Sequence, residues 1–178
     1  MSRFDIQLKK ILANNGKGIV LEIQTELKQQ GHYNTGRLFK SAKAEVIQNS
    51  EGANLDITMN DYHVFIEQGV KASRIPFAGR SGKNKTSKYI QGLVSFFTSK
   101  GLSRKEALSA AFATAYTHKS EGMPTKASSR FSESGRRLRF ISEATKASNQ
   151  INKTESDILN LMESEGLIIL NDFEKAIK

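Results

Sequence analysis

Three features predict an α+β fold: a helical stripe of apolar residues at the N-terminus, two alternating apolar–polar runs joined by a tight turn, and helical spacing through most of the rest. The expected architecture is a small antiparallel β-sheet covered by an N-terminal helix, with an inserted αα-hairpin and a helical C-terminal extension. At 178 residues and 38% hydrophobic content the chain can bury one full core but hardly two. The expected organisation is a single α+β domain over residues 1–147, with a basic loop at 71–88 and the hairpin inserted at 89–117, followed by a helical extension over 148–178.

The N-terminal stripe consists of Phe4, Leu8, Ile11 and Leu12, then Ile19, Ile23 and Leu27, and it crosses the weak stretch Asn14-Asn15-Gly16-Lys17-Gly18. One long helix or two helices fit that pattern equally, and Gly31 ends it. Thr35-Gly36-Arg37-Leu38-Phe39-Lys40-Ser41 reads as a short capped turn with Thr35 as N-cap. Ala44, Val46 and Gln48 then alternate with Glu45 and Ile47, while Leu55, Ile57 and Met59 alternate with Asp56 and Thr58. With Ser50-Glu51-Gly52 as the turn, this is a β-hairpin with one apolar face, and the first helix is its natural cover.

The next stretch joins a charge-balanced first part to a basic middle. Tyr62, Phe65 and Ile66 recur at helical spacing, Asp61 stands at a capping position, and Gly69 sits where a left-handed stop needs no Cβ. A short helix is expected, then a strand-like exit through Lys71 and Arg74 to the corner Ile75-Pro76-Phe77. Glu67 reads either as a buried acid partnered by the basic run after it or as a solvated surface residue. The apolar surface of this stretch exceeds what one short helix covers, which predicts a subunit interface at Tyr62, Phe65, Ile66, Glu67, Ile75, Pro76 and Phe77. The competing expectation is that residues 89–117 fold back and cover the same surface.

Ala78 to Lys88 has almost nothing to bury and reads as a mobile basic loop. Tyr89, Ile90, Leu93, Val94, Phe96 and Phe97 form a helix that stops at Lys100-Gly101. Ser103-Arg104-Lys105-Glu106 is a capping box that opens a second helix through Leu108, Ala111, Phe112 and Ala115. Gly122 to Ser134 reads as a polar loop, and Arg136 to Ile141 as a basic strand or a helix start. In the extension, Thr154 with Asp157 signals a helix start and Gly166 a stop, with a last apolar piece from Leu167 to Ile177.

Charge is unevenly placed. Met1 to Val70 holds 8 basic and 8 acidic residues, net 0; Lys71 to Arg139 holds 15 and 3, net +12; Phe140 to Lys178 holds 4 and 7, net −3. From Gln68 to Lys105 there are nine Lys or Arg and no acid, so this region attracts phosphates or an acidic protein surface. The residues expected to make such contacts are Lys71, Arg74, Arg80, Lys83, Lys85, Lys88, Arg130, Arg136, Arg137 and Arg139. A solvated loop that aids solubility is the plainer alternative, and the missing acids weigh against it.

Chemistry-bearing motifs are few. With no cysteine, thiolate metal sites and disulfides are excluded. Gly79-Arg80-Ser81-Gly82-Lys83-Asn84 fails as a phosphate-binding loop, because its glycines are too close and no Ser or Thr follows the Lys. His63 and Glu67, with His32, are better explained as a half-buried His and a paired Glu than as metal ligands. No nucleophile elbow and no tuned carboxylate pair occur, so no enzyme, cofactor or metal is expected. The N-terminus lacks a signal-peptide core and no apolar run reaches membrane-spanning length, which predicts a soluble chain made inside the cell and no membrane partner. The 89–117 hairpin suggests a helix-turn-helix reader, yet its second helix offers only Ala, Leu, Ser, Phe, Thr and Tyr between Glu106 and Thr117, where base readout wants Arg, Asn or Gln.

One resemblance spans roughly Lys17 to Ala147. Thr35-Gly36-Arg37-Leu38 with Ser41-Ala42, a β-hairpin, the Tyr-x-x-Phe-Ile-Glu-x-Gly pattern of Tyr62 to Gly69, the Ile75-Pro76-Phe77 corner and Arg-Phe-Ile-x-x-Ala at Arg139 to Ala144 occur in an order that resembles the neck (head-tail connector) and tail-completion proteins of long-tailed double-stranded-DNA phages. The resemblance implies a virion protein assembled in the host cytoplasm, forming a homo-oligomeric ring at the head–tail junction around the DNA path. It also implies portal, adaptor or head-closure proteins on one side, tail proteins on the other, and non-specific contact with genomic DNA. Six-fold and twelve-fold rings remain open, as do head closure and tail termination. The helical hairpin and the C-terminal extension depart from the family pattern. A small DNA-binding regulator using the 89–117 hairpin is the alternative, and oligomeric state separates the two.

Overall fold

The computed structural model describes residues 2–49, 52–79, 86–147 and 149–177. It is mostly helical with one two-stranded antiparallel sheet, an α+β fold as expected. Contacts divide the chain into two compact units: Met1–His63 with Arg139–Lys178, and Val64–Leu138. That division differs from the expected boundaries at 147 and 148. The C-terminal helix belongs to the core of the first unit, and the middle of the chain forms a unit of its own.

The first unit is built on α1 (Arg3–Gln29), a single unbroken helix of 27 residues. Ser2 and Asp5 close its start reciprocally: the Asp5 amide donates to the Ser2 hydroxyl at 3.1 Å and the Ser2 amide to the Asp5 carboxylate at 2.7 Å. At its end Gly31 takes a left-handed φ of 69°, and the His32 and Gly31 amides donate to the Leu27 and Lys28 carbonyls. The weak middle is where other elements seat. Asn15 and Gly16 are buried, and a Cβ added at Gly16 would stand 2.6 Å from Leu55 Cδ1 and 2.8 Å from Ala44 Cβ.

Those two contacts belong to the hairpin of β1 (Lys43–Asn49) and β2 (Gly52–Thr58). Its register pairs Ala44 with Ile57, Val46 with Leu55 and Gln48 with Ala53, which puts the apolar side chains on one face. Ala44, Val46, Ala53, Leu55 and Ile57 are half-buried against α1, whereas Ile47 on the other face is 46% exposed. The short α2 (Arg37–Ser41) starts at Gly36 with φ 70°, not at Thr35, whose hydroxyl only accepts from the Arg37 amide at 3.5 Å.

No strand forms at Arg136–Ile141. Arg139 takes φ 60° and Phe140 opens α6 (Phe140–Ala147), the helix-start alternative, with Phe140 fully buried where α6 packs on α1. The last helix, α7 (Gln150–Ile177), begins four residues before the expected Thr154 cap and runs straight through Gly166. Thr154 lies inside the helix, and its hydroxyl donates to the Gln150 carbonyl at 2.6 Å. Gly166 keeps helical backbone because a single glycine costs an internal turn only about 1 kcal/mol. The helix runs antiparallel to α1, with Asn15 donating to Asp157 at 3.3 Å and Arg3 pairing with Glu165 at 3.6 Å.

The second unit opens with α3 (His63–Gln68), whose first residue falls on the unit boundary. After it, Val70 pairs with Met123 in an antiparallel bridge closed by two amide–carbonyl bonds of 2.7 and 2.8 Å. The bridge admits no side chain beside it. A Cβ at Gly69 would lie 2.5 Å from the Met123 carbonyl oxygen, and one at Gly122 2.6 Å from that of Val70, both at positive φ. The expected strand-like exit is a 3-10 turn at Ala72–Arg74, and another 3-10 segment, Lys126–Phe131, occupies the expected polar loop. The helical hairpin is as expected: α4 (Lys88–Ser99) is capped by Ser87, and α5 (Arg104–Glu121) by the Ser103–Glu106 box. Ala107, Ala111 and Ala115 are fully buried, and Ala111 and Ala115 share the core with Ile75, Phe77 and Ile90.

Three helical glycines differ only in the space around them. Gly16→Ala is expected to destabilise by about 1–3 kcal/mol through overpacking against the hairpin. Gly92→Ala and Gly166→Ala, where nothing lies within 4 Å of the added carbon, are expected to stabilise by up to about 1 kcal/mol. Denaturant melts of the three variants check this, and a Gly16→Ala protein at least as stable as the parent would refute the seat described for the hairpin.

Candidate interaction surfaces

The positive charge belongs to one unit. Val64–Leu138 holds 14 Lys or Arg against 4 Asp or Glu, net +10, and the remaining residues hold 13 against 14, net −1. Within it, Lys71 and Arg74 are exposed on one 3-10 turn, and Lys88 is exposed at the first residue of α4. Arg130 and Arg137 gather around Phe131, and Arg136 is exposed on the same segment. The Arg130 guanidinium lies 4.8 Å from the Phe131 ring centroid, and Arg137 Nη1 donates to the Phe131 carbonyl at 3.5 Å. Arg137 is half-buried, and burial pushes its guanidinium below the usual range. Arg139 is exposed but belongs to the other unit. Arg80, Lys83 and Lys85, with most of the expected basic loop, lie outside the described residues.

Sequence reasoning missed two features here. Phe131 is 64% exposed between two arginines, an aromatic–cation surface of the kind that stacks on bases, and the Arg-Phe dipeptide was its only signal. In the first unit, an open depression of about 520 Å³ is lined by Arg37, Lys40 and Lys43, with Ser41, Thr58, Met59 and Asn60. The Ser41 hydroxyl there accepts from the Asn60 amide at 3.1 Å, tying the base of the hairpin to α2. Arg37 and Lys40 are an i,i+3 pair on α2, and Lys43 joins them at the first residue of β1.

The expected subunit interface separates into two sets. Tyr62 is 39% and Phe65 61% exposed, Pro76 is exposed, and Ile66 and Glu67 are half-buried. Ile75 and Phe77 are corrections: at 2% and 6% exposure they lie in the core of their own unit. The Phe77 ring meets Tyr116 edge-on at 4.9 Å and Phe112 at 6.2 Å, and Lys119 Nζ donates to the Ile75 carbonyl at 3.3 Å. The helical hairpin covers this corner, which is the competing account given by the sequence. Phe77→Asp is therefore expected to unfold the second unit, whereas Phe65→Asp leaves its melting point near that of the parent. Equal melting points for the two variants would contradict this assignment.

No group of three or more His, Asp or Glu able to hold a metal occurs among the described residues. His63 Nδ1 lies 3.0 Å from the Asn60 carbonyl, a local bond. One titratable pair is half-buried: the Tyr89 hydroxyl and His118 Nδ1 stand 2.6 Å apart and join α4 to α5. Burial raises the Tyr89 pKa; burial lowers that of His118, opposed in part by the Glu121 carboxylate. The bond ties the two helices of the hairpin together. The unfolded chain protonates His118 more readily than the folded one. Stability from this pair is thus complete above the ordinary value of 6.5 and is lost as pH falls from there through the lower folded value. Melts at pH 7.5 and 5 are expected to show a smaller loss on acidification for His118→Gln than for the parent; equal losses would count against it.

No family model, curated protein or solved structure matches the chain.

Proposed function

We propose that the chain is a non-enzymatic structural protein of the head–tail junction of a long-tailed double-stranded-DNA phage, acting as a neck or tail-completion subunit in a homo-oligomeric ring. The observation that carries this reading is uncovered apolar surface on a folded chain: Phe65, Phe131, Leu167, Ile169, Leu170 and Phe173 are each at least 61% exposed. Surface of that kind on a charged protein marks contact with other subunits. Motif order from Thr35 to Ala144 supports the junction in particular. The net +10 unit supports a position facing the DNA path or an acidic neighbouring ring, with portal-side and tail-side proteins as further partners. The regulator alternative gains no support, since the exposed middle of α5 presents Leu108, Ser109, Ala113 and Tyr116 and no base-reading side chain.

The test is particle assembly without this chain. A nonsense lesion in its coding sequence is expected to yield DNA-filled heads and separate tails, and supplying the protein in trans is expected to join them. Normal joined, infectious particles in its absence would reject the proposal.

A further inference from the structure

The end of α7 extends past the helix it packs on. Its partner α1 is closed at Ser2 by the capping box, and the pair's last cross-link is Arg3 to Glu165. Every described residue from Ile169 onward is exposed. At 1.5 Å per residue, residues 166–177 project about 18 Å beyond that cross-link. This overhang is strongly apolar on one side: Ile169, Phe173 and Ile177 follow Met162 at spacings of seven, four and four, with exposures of 68%, 64%, 70% and 57%. Glu163, Asp172 and Glu174 border the stripe, and among the described residues of this segment only Lys175 offsets them, paired with Asp172 at 3.7 Å. Three turns of helix are marginal in water without tertiary cover, so the overhang calls for a surface with a matching apolar stripe and positive borders.

The net +10 unit has such a surface on α5. Lys105, Leu108, Phe112, Tyr116 and Lys119 fall at spacings of three, four, four and three, on one face of the helix. Leu108 is 39% and Tyr116 54% exposed, Phe112 is half-buried, and both lysines are exposed, Lys119 donating to Ile75 from the edge of the stripe. The run from Lys105 to Lys119 spans about 21 Å, enough for an 18 Å overhang. A second α7 is a poorer occupant, because the acidic borders would face each other.

We infer that the α7 overhang of one copy docks on the α5 face of a second copy, an apolar helix-on-helix contact bordered by carboxylates on one side and lysines on the other. The two surfaces differ, so the contact is heterologous and propagates into a ring if the rotation closes. It deepens the ring reading above by naming its surfaces, and rests on that reading for closure alone.

The experiment is light scattering of the full-length protein over a concentration series at low and high salt. The parent is expected to self-associate, more weakly at high salt. Ile169→Glu with Phe173→Glu, at exposed positions, and separately Lys105→Glu with Leu108→Glu, are each expected to weaken association at least tenfold while melting like the parent. Mixed in equal amounts, the two variants are expected to form one-to-one pairs and nothing larger, since one keeps an intact overhang and the other an intact α5 face. Association of the α5 variant at parental strength, with loss in the α7 variant, would indicate an α7–α7 seam and overturn the inference. Parental association of both variants would place the contact elsewhere, overturning the inference while leaving the ring reading in place. A parent that stays monomeric throughout would overturn both.

Discussion

The first unit depends on how closely the β-hairpin approaches α1. Leu55 and Ala44 come within 2.6 and 2.8 Å of where a Gly16 Cβ would be, a separation that no other residue type permits. That close seat lets an isolated two-stranded sheet, marginal by itself in water, bury its apolar face. The rest of the unit follows from the same helix: α6 packs on it with Phe140 fully buried, and Asn15 and Arg3 fix the line of α7. A glycine that weakens the helix by propensity thus seats both strands of the hairpin by contact.

The second unit solves a similar problem with alanines. Ala107, Ala111 and Ala115 are fully buried along one face of α5, which lets α4 and the Ile75–Phe77 corner come close enough to share one core. The chain is pinned at the other end of that corner by the Val70–Met123 bridge, which Gly69 and Gly122 leave room for. With its small side chains turned inward, α5 leaves Leu108 and the part of Tyr116 that does not meet Phe77 exposed, and so has an apolar face to share.

The α+β class, the apolar face of the β-hairpin and the cap of α5 were legible because each rests on local spacing: alternation for Ala44 to Ile57, and Ser-x-x-Glu for Ser103 to Glu106. What local spacing cannot encode was missed. Gly16 reads as a helix weakness until the hairpin is seen against it, and Gly166 reads as a stop although the helix continues through it. Arg136–Ile141 read as a strand or a helix start, and the helix start at Phe140 is the one that forms, with Phe140 fully buried, a tertiary effect outside the reach of a short window. Among the candidate site residues, Lys71, Arg74 and Lys88 were legible as exposed charge. The burial of Ile75 and Phe77 depended on which of two apolar surfaces would meet them, and sequence left both possibilities standing.

A subunit of the proposed ring would have to keep its own fold while presenting apolar surface to neighbours, two demands that different parts of this chain could meet. The α1 spine holds the first unit, and exposed Phe65, Phe131 and the α7 overhang are left for contact. Amide hydrogen exchange of the dilute protein tests this division most directly. The account expects the slowest exchange in α1 from Leu12 to Leu27 and in α6, and fast exchange in α7 beyond Gly166. Protection of residues 167–177 equal to that of α1 in the dilute chain, or early exchange of α1 ahead of the hairpin, would contradict it.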